Sequence, residues 1–158
     1  MTVIAGLVTE GGVFLGADRM LSNCSHKSDS GPKIFERDGW AYANTGSVRT
    51  IQIMEKLTKD KTIITRADVI ALSSSLYDEL KTKGLGSAAE SRMPLCDSDF
   101  LVGTVEGLFC IQADFGVNEY KNFHASGIGY EYALGVLRAI PFKRKALARS
   151  AARSRRVV

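Results

Sequence analysis

Cysteine and histidine are scarce in this chain: three and two of its 158 residues. Cys24, Cys96 and Cys110 are an odd number and lack the paired spacing of a metal knot. That argues against a disulfide scaffold and against a zinc site, so no metal is expected. Free thiols fit a reducing compartment, and a cytoplasmic location is the expectation. No apolar run approaches the ~20 residues that cross a bilayer, so no membrane partner is expected. Met1 leads straight into a strand-like run without a basic segment or a small-residue cleavage site, and no signal peptide is expected.

Acidic residues are missing after Glu131, where Arg138, Lys143, Arg144, Lys145, Arg149, Arg153, Arg155 and Arg156 follow. The rest of the chain then carries 13 Lys and Arg against 17 Asp and Glu, so the formal +4 belongs to one terminus and not to the fold. Aromatics are also missing from that tail beyond Phe142, which argues against base stacking and against nucleic acid as a partner. The expected organisation is one domain over 1–140 and a basic, disordered tail over 141–158. For the tail, contact with nucleic acid or with an acidic neighbouring subunit is the alternative. What remains is ordinary for a globular protein: 45% hydrophobic and 24% charged residues, at a length that supports a real core.

Residues 2–8 and 13–17 are β-branched and apolar, with Glu10-Gly11-Gly12 between them as a hairpin turn. Residues 19–32 read as a polar loop. "KIFER" and "WAYANTG" alternate around Arg37-Asp38-Gly39, a second hairpin. From Ser47 the period becomes helical, with Val48, Ile51, Met54 and Leu57 on one face, Ile53 alongside and Lys59-Asp60 at the end. A second helix follows, capped by Thr65 and Asp68, carrying Val69, Leu72, Leu76 and Leu80, and stopped by Gly84. A Gly/Ser-rich loop spans 84–98. Three strands are predicted in "DFLVGTV", "GLFCIQA" and the stretch "NEYKNFHASG", then a helix in "GYEYALGVLRA" that Pro141 interrupts. Strands in blocks and helices in blocks indicate an α+β fold with antiparallel sheets.

Taken singly, Thr2 is a β-propensity residue, Asp18 a turn residue and Lys33 a solvated strand-end lysine. Gly46 and Ser47 form an ordinary helix entry. His26 reads as a solvent-facing loop residue, His124 as a packed or hydrogen-bonded residue at a strand end, and Cys24 as a free thiol with no evident basic partner. Together, three segments in order resemble the proteasome β-subunit family of N-terminal-nucleophile hydrolases, including its bacterial ring-protease relatives. They are "TVIAGLVTEGGVFLGADR", "GPKIFERDGWAYANTGSV" and "ASGIGYEYALGVL". The resemblance implies an αββα sandwich of two antiparallel sheets between helix layers. It implies a threonine-type endopeptidase with no cofactor, self-associated in a ring, acting on polypeptide and fed by an ATP-dependent unfoldase. Thr2 would be the nucleophile once Met1 is removed, with Asp18 and Lys33 as its catalytic partners. Gly46 and Ser47 would stabilise the oxyanion, with Ser126, Gly127 and Gly129 in support.

The chemistry behind these assignments is general. A threonine hydroxyl needs a neighbouring base, and a free α-amine with a pKa of ~7.7–8.0 supplies one. A lysine beside it lowers the cost of forming the alkoxide, and a buried carboxylate holds that lysine. Two departures from the family pattern stand out. Ile128 occupies the place of a family serine, for which Ser126 is the nearest substitute in sequence. The family also continues with a further Asp and a Ser-Gly-Gly loop, so a C-terminally shortened sandwich is expected. A catalytically inactive structural subunit and a non-peptide amidohydrolase are the alternative functions.

Overall fold

A computed structural model describes residues 2–23, 26–29, 31–83 and 96–139. Within them the architecture is four layers. Strands β1 (Ile4–Thr9) and β2 (Gly12–Ala17) form the opening hairpin, in register from Ile4↔Ala17 to Thr9↔Gly12. The polar stretch 19–32, read above as a loop, holds a small hairpin of β3 (Met20–Asn23) and β4 (His26–Asp29). Its polar residues hid the alternation that marks a strand. Strands β5 (Ile34–Arg37) and β6 (Trp40–Thr45) form the next hairpin around Asp38-Gly39.

Helix α1 (Val48–Thr58) starts at its N-cap Ser47, whose hydroxyl accepts from the Arg49 N–H. Its buried residues are Thr50, Ile53, Met54 and Thr58. Val48, placed on the core face by its spacing, is 50% exposed. The stripe is rotated because Thr50 and Thr58 are both buried and hydrogen-bonded: Thr50 donates to Asp97, and Thr58 to the Met54 carbonyl. Helix α2 (Arg66–Thr82) follows the sequence reading closely. Thr65 and Asp68 form a capping box, and Val69, Leu72, Leu76 and Leu80 are all buried.

Strands β7 (Asp99–Gly103) and β8 (Leu108–Ile111) continue the sheet. The stretch "NEYKNFHASG" is two strands and not one. β9 (Val117–Tyr120) pairs with β8, while β10 (Phe123–Ser126) crosses to pair with β1. The break at Lys121-Asn122 is thus where the chain leaves one sheet for the other. Helix α3 (Tyr130–Ala139) closes the described chain. The antiparallel sheets run β5-β6-β7-β8-β9 and β10-β1-β2, with β3-β4 apart. Cys24, Gly84, Pro141 and the basic tail lie outside the described residues.

Alternation on the five-stranded sheet builds two cores. Trp40, Tyr42, Phe100, Val102, Phe109 and Ile111 point toward α1 and α2 and pack with Met54, Leu72 and Leu76. Burying side chains of this size stabilises by ~1.5–3 kcal/mol each before entropy is counted. Ala43, Leu101, Leu108 and Cys110 face the other way and meet Ile4 and Val13 of the smaller sheet. α3 lies against β10 and β1 on that sheet's far side. None of its residues is fully buried, and Ile128, Tyr132 and Val136 form an exposed stripe.

Candidate active site

One end of the sheet–sheet interface collects polar groups. Thr2 lies just ahead of β1, and Asp18 just after the paired strand β2. Lys33 lies just ahead of β5, its carbonyl accepting from the Asn44 N–H of β6 at 3.0 Å. Three separate chain segments therefore arrive at one place. The Lys33 Nζ is 3.0 Å from Asp18 Oδ1, 3.3 Å from Thr2 Oγ1 and 2.6 Å from the Met20 carbonyl. Three acceptors match the three donors of an ammonium group. The lysine side chain is 9% exposed and that of Asp18 25%. Asp18 is therefore less enclosed than its apolar sequence setting suggests.

Asp18 works on both sides of the site. Its Oδ1 also accepts from the Val3 N–H at 2.9 Å, and its Oδ2 from the Met20 N–H at 2.9 Å. Burial pushes its pKa up. The Val3 N–H, the Lys33 ammonium and the Met20 N–H together outweigh that push, so the carboxyl ends below its usual range. One carboxylate thus fixes both the backbone beside Thr2 and the lysine beside its hydroxyl.

Gly46 sits at the exit of β6 with φ +113°, a conformation that favours glycine. A Cβ there would come within 2.2 Å of the Asp97 carbonyl oxygen. The residue is exposed, and its N–H donates to no other described residue. Ser47 is engaged differently: its N–H donates to Ser98 Oγ at 3.0 Å, while its hydroxyl caps α1. Asp97 and Ser98 were not singled out in the sequence, where they end a Gly/Ser-rich stretch. They clamp the start of α1 through Thr50, Ser47 and the Gly46 contact.

The turn Gly127-Ile128-Gly129 closes over Thr2. Gly127 has φ +94°, and a Cβ on it would lie 2.3 Å from the Thr2 carbonyl oxygen and 3.3 Å from Thr45 Oγ1. The Gly129 N–H donates to that same Thr2 oxygen at 3.3 Å. Ser126 is buried and donates a hydrogen bond to Asp99 of β7. Its hydroxyl is therefore committed to Asp99. Ile128 turns outward and is 78% exposed.

Other nucleophiles and bases stand apart. Burial pushes the Cys96 thiol up to about 11 and the Cys110 thiol up to about 12, so both are protonated and inert near neutrality. His124 stacks on Tyr120 with ring centroids 3.8 Å apart, and burial lowers its pKa. Among the described residues no group of acidic, His and Cys side chains is placed to hold a metal. No helix among them is long and apolar enough to cross a membrane.

Solved structures share this arrangement of strands and helices. Thiobacillus denitrificans BPH, a bacterial proteasome homologue, superposes with a TM-score of 0.76 at 22% identity, over 87% of this chain and 78% of that one. HslV from Trypanosoma brucei gives a TM-score of 0.65 at 17% identity, over 88% of this chain and 79% of its own. An Anbu mutant from Hyphomicrobium gives 0.67 at 14% identity, over 93% of this chain and 68% of its own. The chain has the proteasome-type N-terminal-nucleophile hydrolase fold. No protein-family model and no curated protein matches it.

Proposed function

We propose that the protein is a proteasome-like threonine peptidase acting through Thr2. The observation that carries the reading is the convergence of Lys33 Nζ on Thr2 Oγ1 and Asp18 Oδ1, at 3.3 and 3.0 Å. With Met1 removed, the Thr2 α-amine takes the hydroxyl proton as Oγ1 attacks the substrate carbonyl. Lys33 stabilises the developing alkoxide, and Asp18 holds Lys33 and the Val3 amide. The Gly46 N–H is free to donate to the tetrahedral oxyanion, a contribution worth ~10²–10³ in rate. Collapse expels the amine, which leaves with the proton, and Thr2 carries the acyl group as an ester. Water then hydrolyses the ester, with the α-amine again acting as base.

Self-association belongs to the same reading, supported by the exposed stripe of Ile128, Tyr132 and Val136. A ring-like homo-oligomer, a polypeptide substrate and an ATP-dependent unfoldase are the partners proposed, in the cytoplasm. The proposed catalytic domain is 1–140, with 141–158 as an appended tail. A structural subunit without turnover is the second reading, favoured by Ile128 at the family's serine position and by the commitment of Ser126 to Asp99. Fluorogenic peptide hydrolysis by the Met1-free protein, with Thr2→Ala as control, decides between them. Thr2-dependent cleavage is expected. A free Thr2 amine, confirmed by mass, with no cleavage favours the structural subunit.

A further inference from the structure

The two halves of the candidate site stand on different sheets. Thr2 and Asp18 flank β1 and β2 of the three-stranded sheet, whereas Lys33 and Gly46 flank β5 and β6 of the five-stranded one. The distance from Thr2 to Lys33 therefore depends on how the sheets sit on each other. Most of their interface is apolar: Ile4 and Val13 against Ala43, Leu101, Leu108 and Cys110. Apolar burial is non-directional, so it holds the sheets together without fixing their lateral position.

Ser126 and Asp99 cross this same interface with a directional bond. Ser126 is on β10 and donates its hydroxyl proton to Asp99 Oδ2 on β7. In the ladders, Ser126 is opposite Ile4 of β1, and Asp99 is opposite Thr45 of β6. Each end of the bond is thus a short step from one half of the site. Gly127, the next residue after Ser126, packs on the Thr2 carbonyl and on Thr45 without room for a methyl group. Gly46 follows Thr45 directly. A stack this tight passes a displacement of Ser126 to Thr2 with little slack.

We infer that the Asp99–Ser126 hydrogen bond is a positioning tie that sets the separation of Thr2 from Lys33 and Gly46. It acts through Gly127 and Thr45 and does not touch the reacting atoms. The inference rests on Thr2 being the nucleophile for its kinetic consequence, though not for its geometry. Misplacing a reacting group by a fraction of an ångström to an ångström costs about ten- to a hundredfold in rate.

The test uses Ser126→Ala, Asp99→Ala, their double variant and Asp99→Asn, which keeps an acceptor oxygen for the serine. With a peptide substrate, each alanine variant is expected to lower kcat about tenfold at unchanged KM. The double variant should be no worse than either single one, because one bond is lost in all three. Asp99→Asn should recover most of the rate. Wild-type kcat in the folded alanine variants overturns the tie, even if their melting temperatures fall. Equal losses in Asp99→Asn and Asp99→Ala overturn it as well, since they point to charge and not to the bond. If Asp99→Ala does not fold, Ser126→Ala carries the comparison alone. An activity-independent arm separates this inference from the peptidase reading. In protein carrying ¹³Cε-lysine, the Lys33 resonance, assigned with Lys33→Arg, should move in Ser126→Ala and stay near its wild-type position in Asp99→Asn. A Lys33 signal unmoved in Ser126→Ala overturns the tie, whether or not the protein cleaves peptides.

Discussion

The two faces of the five-stranded sheet are built from the same strands and do opposite things. The face toward α1 and α2 carries the large side chains, Trp40, Tyr42, Phe100 and Phe109 among them, all nearly inaccessible to solvent. The face toward the smaller sheet carries smaller ones, Ala43, Leu101 and Cys110, and at one end Thr45 and Asp99. The helix face holds the domain together. The inner face brings the second sheet close enough for Thr2, Asp18 and Lys33 to meet. Stability and chemistry are thus separated by strand alternation, one residue apart in sequence.

This division can be broken from either side. Thr2→Ala and Lys33→Ala are expected to reduce peptide turnover by at least about a thousandfold, since they remove the proposed nucleophile or the ammonium group beside it. Their thermal unfolding should change little by comparison. For Lys33→Ala the cost stays below the ~3–5 kcal/mol typical of a broken buried pair. Asp18 keeps a quarter of its side chain exposed and two backbone donors. Trp40→Ala acts on the other face. Loss of a buried indole should remove ~3–5 kcal/mol of stability by denaturant titration, with the kcat of the remaining folded protein near wild type. A Trp40 variant that is stable but inactive would contradict the separation.

How much of this was legible in the sequence follows the same line. Helix α2 was readable to its caps because Thr65, Asp68 and four apolar positions are local signals. The hairpins of β1–β2 and β5–β6 were readable because each turn carries glycine at the required place. The β3–β4 hairpin was not, since beyond Met20 and Leu21 its strand residues are polar and no alternation marks them. Nor was the sheet switch at Lys121-Asn122: which sheet a strand joins is a long-range matter that spacing does not encode. In the site, Thr2, Asp18 and Lys33 were found through a family pattern. Asp97, Ser98 and Asp99 were missed because they act across the fold, on residues about 27 to 51 positions away.

Smaller effects come from a helix cap and from a single charge. Thr65→Ala removes the cap of α2, far from the inner face, and should cost ~1 kcal/mol of stability with no change in kcat. The smallest effect is one of pH. Asp18 has a folded-state pKa below its unfolded value, so its contribution is present above ~pH 4 and is lost as pH falls through the folded value. The melting-temperature gap between wild type and Asp18→Asn should therefore be full at pH 6 and close progressively below pH 4. A gap independent of pH would mean that the Asp18 charge does not stabilise the fold.

Covalent capture tests whether the Thr2 hydroxyl is an activated nucleophile. A peptide epoxyketone, which can bond both the threonine hydroxyl and its free α-amine, serves as the electrophile. Met1-free protein is incubated with it at neutral pH and its peptides are mapped by mass spectrometry. One adduct is expected on the N-terminal peptide at Thr2, absent in Thr2→Ala and strongly slowed in Lys33→Ala. An unmodified Thr2 with a confirmed free amine, or an adduct formed equally fast without Lys33, would contradict it.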